Sequence, residues 1–157
     1  IYGLVRNGEI LDREILSDLS RDEFVAAAEY LQTHLTDDVL EQAIARAPLE
    51  YRQLRGDELL ETLRARREAL PEAALAFYRL LAREVDVWAT DEDEMAVAER
   101  LTDGGVELRL YPAGAEREEP YFQRRFDPAE TREVRVYLRG GEDTGVVRGS
   151  GRSSRMP

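Results

Sequence analysis

The stretch "REVRVYLRGGEDTGV" at residues 132–146 decides how the C-terminal half of this chain is read. β-Branched residues flank a turn built from two glycines and an acidic pair, Gly140-Gly141-Glu142-Asp143. A plain hairpin turn satisfies that composition. So does a degenerate version of the G-x-G-rich calcium loop of secreted β-roll repeats. The stretch carries the double glycine and an acid but lacks the third glycine at its place. It also stands as a single copy, whereas such sites need stacked neighbours to complete the coordination sphere. The hairpin is the favoured reading.

The same stretch matches "REVDVWATDEDEMAV" (83–97) without gaps. Arg-Glu-Val, the second valine, an aromatic, an acidic pair and a final valine coincide. Both segments read as strand, acidic turn, strand. Either the chain contains a duplication, or two hairpins obey the same local rules.

Working outward, "EVDVWA", "MAVAERL", "VELRLY", "YFQRRF" and "EVRVYL" are short segments rich in β-branched and aromatic residues. Asp103-Gly104-Gly105 and Asp127-Pro128 divide them, which favours an antiparallel meander or a small sandwich over 84–149. Before residue 84 the period changes to that of helices. Ser20 and Glu23 make a capping box ahead of Phe24, Ala27, Ala28 and Leu31. Thr36 with Asp37 and Asp38 starts a second helix that runs to Pro48. Gly56-Asp57 restarts a third with Leu59, Leu60 and Leu63. Pro71 opens a fourth. Short connections imply an antiparallel bundle over 1–83, with an N-terminal hairpin at Asn7-Gly8. Residues 150–157 read as a truncated linker. The expected fold class is α+β: an antiparallel helical bundle followed by an antiparallel β-meander or small sandwich.

Composition removes several function classes. The net charge of −11 sets the surface against a phosphate backbone, so nucleic acid is not an expected partner. Arginine supplies all 22 basic residues. With no lysine there is no G-x-x-x-x-G-K-[ST] phosphate loop. With no cysteine there is no thiol chemistry and no thiolate metal site. No apolar run reaches the roughly 18 residues needed to cross a bilayer, so direct membrane insertion by this segment is not expected. The chain opens at Ile1, and both ends read as boundaries within a longer protein.

The candidates for chemistry are few. His34, the only histidine, excludes sites built on histidine pairs and reads as a polar helix-end residue. Ser17, Ser20, Ser150, Ser153 and Ser154 lie at caps or near the terminus, outside any G-x-S-x-G elbow. Glu58, Glu61 and Arg64, like Glu68 and Glu72, read as solvated helix faces with local ion pairs rather than as a carboxylate pair for hydrolysis. The loop "TDEDE" (90–94) offers Asp91, Asp93 or Glu94 to a hard cation but completes no EF-hand frame. Trp88, Tyr111, Tyr121, Phe122, Phe126 and Tyr137 fall in strands. About half should face the core, and any that cluster outside would make a recognition patch.

The runs "FYRLLAREVDVWATDEDEMAVAERL" and "FDPAETREVRVYLRGGEDTGVVRGSG" together resemble an uncharacterised region of large bacterial envelope proteins. The stretch from "LTDDVLEQAIARAPLE" to "LPEAALAFY" resembles the helical region before it. In those proteins a strand-rich region precedes a BamA/TamA-like outer-membrane barrel, and some carry a calcineurin-like phosphoesterase domain upstream. The resemblance implies a connector or accessory region in the periplasm or on the extracellular face. Its partners would be flanking domains of the parent chain and other envelope proteins. It transfers no catalytic residues, since one histidine and one asparagine, Asn7, cannot supply a phosphoesterase ligand set.

The expected role is therefore a non-catalytic structural or protein-interaction module, with no catalytic, cofactor-binding or metal residue and no cofactor assigned. The alternatives are a fragment of an acid- or metal-dependent hydrolase using Asp91, Asp93 or Asp143, or a calcium-stabilised β module. The hydrolase requires those three groups to converge.

Overall fold

A computed structural model describes residues 8–115 and 119–149. Gly8 caps a short helix, α1 (Glu9–Ile15), in which the Gly8 carbonyl accepts from the Asp12 N–H at 2.8 Å. The hairpin expected at Asn7-Gly8 is therefore replaced after Gly8 by helix, and Asn7 lies outside the described residues. "EILDREI" can close helical hydrogen bonds within itself, whereas a strand there would need a partner for every N–H.

Ser20 starts α2 (Arg21–His34) with the expected capping box: its hydroxyl accepts from the Glu23 N–H, and Glu23 accepts from the Ser20 N–H at 2.6 Å. Thr36 caps α3 (Asp37–Ala45) through the Val39 N–H. Pro48 then precedes α4 (Leu49–Glu68), which runs unbroken for 20 residues. The restart expected at Gly56 does not occur. A glycine inside a helix costs about 1 kcal/mol, and α4 is anchored beyond it. Arg64 and Arg67 both donate to the Asp37 carboxylate at 2.7 Å, and Arg67 also donates to the Leu35 carbonyl at 3.0 Å. These contacts put the start of α3 against the end of α4, so the two helices run antiparallel. The two guanidiniums hold the Asp37 carboxyl below its ordinary pKa. Helix α5 (Leu70–Ala82) carries Pro71 in its first turn, as expected.

The chain divides into two compact units. Among the described residues, one spans Leu19–Tyr78 and the other joins residues 8–18 with those from Arg79 to Gly149, so the division falls inside α5. Within the helical unit Phe24 packs edge-on against Phe77, with ring centroids 6.0 Å apart, and lies 5.5 Å from the buried Tyr78.

Among the described residues the second unit holds six strands: β1 (Glu84–Trp88), β2 (Glu94–Arg100), β3 (Val106–Pro112), β4 (Phe122–Phe126), β5 (Glu133–Tyr137) and β6 (Thr144–Arg148). β2, β3 and β4 form the expected antiparallel meander. The remaining pairings depart from it. β1 pairs with β5 and β2 with β6, both in parallel, giving a two-stranded sheet β1-β5 and a mixed sheet β4-β3-β2-β6. Segments 84–97 and 133–146 are thus not hairpins. Each is an arch whose two strands belong to different sheets, and the second arch stacks on the first. Every pair in both parallel ladders joins a residue to the one 49 positions later, from Glu84 with Glu133 to Glu99 with Arg148. The gap-free match between the two segments is the hydrogen-bonding register itself.

Burial explains why the arms cross the core rather than lie side by side. Val85 and Val87 of the first sheet, with Ala89 just after β1, share one apolar cluster with Ala96, Leu108, Leu110 and Phe126 of the second. Val134, Val136 and Leu138 extend it on the stacked arch. In a hairpin, β1 and β2 would present these residues to one face of one sheet and leave that face without a covering layer.

The glycines of the second turn permit the stacking. A Cβ on Gly141, which has φ +101°, would lie 2.8 Å from the carbonyl carbon and oxygen of Glu92; one on Gly140 would lie 3.5 Å from the Asp91 oxygen. The Gly141→Ala variant is expected to lose about 1–3 kcal/mol from backbone strain alone, with a further loss from the clash. Gly145→Ala, which meets nothing within 4 Å, should stay within about 0.5 kcal/mol of the parent. Urea unfolding midpoints of the two variants test this contrast.

Candidate functional site

The stacking brings the two acidic turns to one end of the β unit. Asp91, Asp93 and Asp143 are therefore neighbours in the fold, as the hydrolase alternative requires. Two of the three carboxylates are engaged with backbone. Asp93 Oδ1 accepts from the Glu142 N–H at 2.7 Å, and Asp143 Oδ1 accepts from the Glu94 N–H at 3.1 Å. Both bonds again join positions 49 apart. Each turn supplies one carboxylate to the equivalent amide of the other, where the backbone is bending and the ladder cannot continue. Asp91 is exposed, with its backbone under Gly140. Among the described residues no group of three or more histidine, aspartate or glutamate side chains is placed to hold a metal ion.

Glu94 is the residue that the sequence reading placed incorrectly. It was expected in an exposed turn, yet it is 2% exposed, the only buried charged side chain among the described residues. It opens β2 on the face of Ala96 and Ala98, both in contact with the core. Its carboxylate accepts from the Thr90 hydroxyl at 2.6 Å, the Thr90 N–H at 2.9 Å and the Tyr121 hydroxyl at 2.8 Å. Thr90 in turn accepts from the Glu92 N–H at 3.1 Å. Burial of Glu94 raises its pKa, but the hydrogen bonds from Thr90 and Tyr121 outweigh that and leave it below the ordinary glutamate value. Burial, then the Glu94 carboxylate, push the Tyr121 hydroxyl up, so it stays a donor. An alternation signal was available in Glu94, Ala96 and Ala98, which share one side of a strand. The Tyr121 contact, reached across β3, had none.

The aromatic residues divide between core and surface. Phe126 and Tyr111 are buried and Phe122 is partly buried, while Trp88 and Tyr137 stack outside at 4.0 Å with an interplanar angle of 11°. They are register partners on the outer face of the β1-β5 sheet. Arg139 lies over the Trp88 ring, 5.4 Å from its centroid. Beside them Arg135 pairs with Glu133 at 2.9 Å, Glu84 at 3.0 Å and Asp86 at 3.1 Å. These are partly exposed contacts, worth little singly. Together they offset the like charges of Glu84 and Glu133, which the register places side by side. Arg13 of α1 donates to the Glu84 carbonyl, and Arg124 donates to that of Ser17.

His34 closes α2, its Nδ1 at 2.7 Å from the Tyr30 carbonyl and its ring stacked on Tyr30 at 3.9 Å. Ser20 caps α2 and Ser17 bonds to Asp18; Ser150, Ser153 and Ser154 lie outside the described residues. Glu58 pairs with Arg55 at 2.6 Å, a local pair of the kind expected of this helix face, whereas Arg64, expected to pair locally, reaches instead to Asp37 and Glu41 of α3.

Glu94 makes stability depend on pH in a defined sense. A carboxylate whose folded-state pKa is depressed contributes stability above its unfolded value of about 4.3, lost as pH falls through the folded value. Glu94→Gln should therefore be less stable than the parent at pH 7, with the gap narrowing below about pH 4. Tyr121→Phe, which removes one hydrogen bond to the buried charge, should cost about 1.5–3 kcal/mol at pH 7. Denaturant unfolding at pH 7 and pH 3 measures both. No protein-family profile matches this chain, and no match was found among curated proteins or solved structures.

Proposed function

We propose that this chain is a non-catalytic structural or protein-contact module of a larger bacterial envelope-associated protein. The observation that carries the reading is the use made of its acids: Asp93 and Asp143 hold the two turns together, and Glu94 fixes the start of β2 to Thr90 and Tyr121. A general acid or a metal ligand has to present its oxygens to a substrate or an ion. Here one oxygen of each aspartate, Oδ1 of Asp93 and Oδ1 of Asp143, accepts a backbone N–H group, and the Glu94 carboxylate is buried. The address in the periplasm or on the extracellular face rests on the resemblance of residues from about 20 to 152 to envelope proteins. The partners proposed on that basis are the flanking domains of the parent chain and other envelope proteins.

The structural and hydrolytic readings separate on three aspartates. As scaffold, Asp93→Ala and Asp143→Ala each remove an acceptor from a backbone N–H and should lower stability by about 1–3 kcal/mol, while Asp91→Ala should leave it within about 0.5 kcal/mol. The chain should show no turnover of chromogenic phosphate esters or glycosides. Turnover abolished by Asp91→Ala in a fully folded variant would establish the hydrolase instead. Millimolar calcium should leave the melting temperature unchanged; a rise that chelator reverses would establish the calcium-stabilised alternative. Fractionation of cells expressing the tagged parent protein tests the address separately.

A further inference from the structure

Resting on that contact-module reading, we infer that the outer edges of β5 and β6 together accept a third strand–turn–strand segment, parallel and in register with the first two. Both strands of the second arch are sheet edges on the same side. β5 is the outer strand of the two-stranded sheet, β6 is the outer strand of the four-stranded sheet, and among the described residues no strand pairs with either far edge. The Tyr137 carbonyl accepts from the Ala89 N–H at 3.0 Å, so the backbone groups of Tyr137 face β1. By the alternation of a strand, the N–H and C=O groups of Val134 and Val136 face outward.

In the four-stranded sheet the stack is closed at its other end, whereas β1 is the other edge of the two-stranded sheet. β2 continues into β3 and β4, an antiparallel pair that occupies the edge a preceding arch would need. Repeat stacks commonly end in such a cap of different structure. Of the usual edge defences the β5–β6 side lacks two: residues 133–137 and 144–148 contain no proline, and among the described residues no non-glycine residue has positive φ; charge at Glu133, Arg135 and Arg148 and a length of five residues each are the defences these strands keep.

The apolar layer also stops open on that side. Val147 shares the register of the core-contacting Ala98 but is 67% exposed. Gly145, in register with the buried Ala96, has free space where a side chain would point. A further arch would cover both. The chemistry it must carry follows from the two arches present. β-Branched residues belong at the positions of Val134 and Val136, to extend the inner layer. An aromatic belongs at that of Tyr137, to lengthen the Trp88–Tyr137 stack. A turn with small residues belongs over Gly140-Gly141, because the second turn reaches the first only through glycine. A second copy of the whole chain does not fit as a continuation, since its β2 edge is already taken by β3.

The probe is a synthetic peptide of residues 132–149, "REVRVYLRGGEDTGVVRG", titrated to millimolar concentration into the isotope-labelled chain 1–157. The expected result is at least tenfold slower amide exchange at Val134 and Val136, together with residues of β6, and none at β3 or β4. A nitroxide on the peptide's N-terminus should broaden Glu133 more than Tyr137. Val147→Lys, an exposed substitution that spares the core, should weaken binding fivefold or more, and Val136→Pro should abolish it by removing an outward N–H. Three outcomes overturn the proposal: no response at 5 mM peptide, broadening strongest at Tyr137, or a dimer of the chain itself that buries these edges. If the chain instead proves to be a hydrolase, the contact-module reading fails whatever the peptide does. If it is inert and the peptide does not bind, only the acceptor edge is lost.

Discussion

The β unit depends on one constraint: two arches must approach closely enough for their backbones to pair in parallel along both arms and around the bend. Along the arms the ladder N–H and C=O groups achieve this. At the bend they cannot, and the structure substitutes two carboxylate–amide bonds and a pair of glycines. Remove the close approach and both sheets lose a strand at once, because β5 and β6 are held by the same turn. The core would lose Val134, Val136 and Leu138 with them.

This constraint also gives the internal similarity a physical cause. Residues that stack in register share an environment, so valine follows valine toward the core and an aromatic follows an aromatic outside. Charge breaks the pattern where repetition would harm. Glu84 lies beside Glu133, and Asp86 beside Arg135 rather than a second acid. A strict copy would have put two carboxylates there with no cation between them. Whether the arches descend from one ancestor or converged, the ladder imposes the same likeness.

Much of the fold was legible in the sequence, for identifiable reasons. Ser20, Thr36 and Pro71 each carry a local signal of helix initiation, and a helix closes most of its hydrogen bonds locally. The unbroken run of α4 through Gly56, where a restart is expected, reflects tertiary anchoring at Arg64 and Arg67, which no local rule sees. Strands were legible as strands because alternation and β-branching are local. Their partners were not, because period and composition say nothing about which strand lies alongside. The hairpin assumption then took each acidic turn as joining neighbours in one sheet. The candidate residues fared similarly. Asp91, Asp93 and Asp143 were found by composition, but their use as backbone acceptors depends on the stacking. The burial of Glu94 was readable from its spacing to Ala96 and Ala98, whereas its tyrosine partner was not.

The parallel ladders also set an order of assembly. β2, β3 and β4 pair between neighbours in the chain, so their closure costs little loop entropy. Each β1–β5 or β2–β6 contact spans 49 residues, and such distant pairings are slow to form. During synthesis the meander can form as soon as β4 emerges, while β1 waits without a strand partner and the apolar face of β2 and β3 lacks the second arch. The nascent chain therefore passes through an interval in which its most aggregation-prone surface is its own unfilled acceptor. Charges on the strands already present, Glu84 and Asp86 on β1 and Arg124 and Arg125 on β4, are of the kind that discourage association at such a stage.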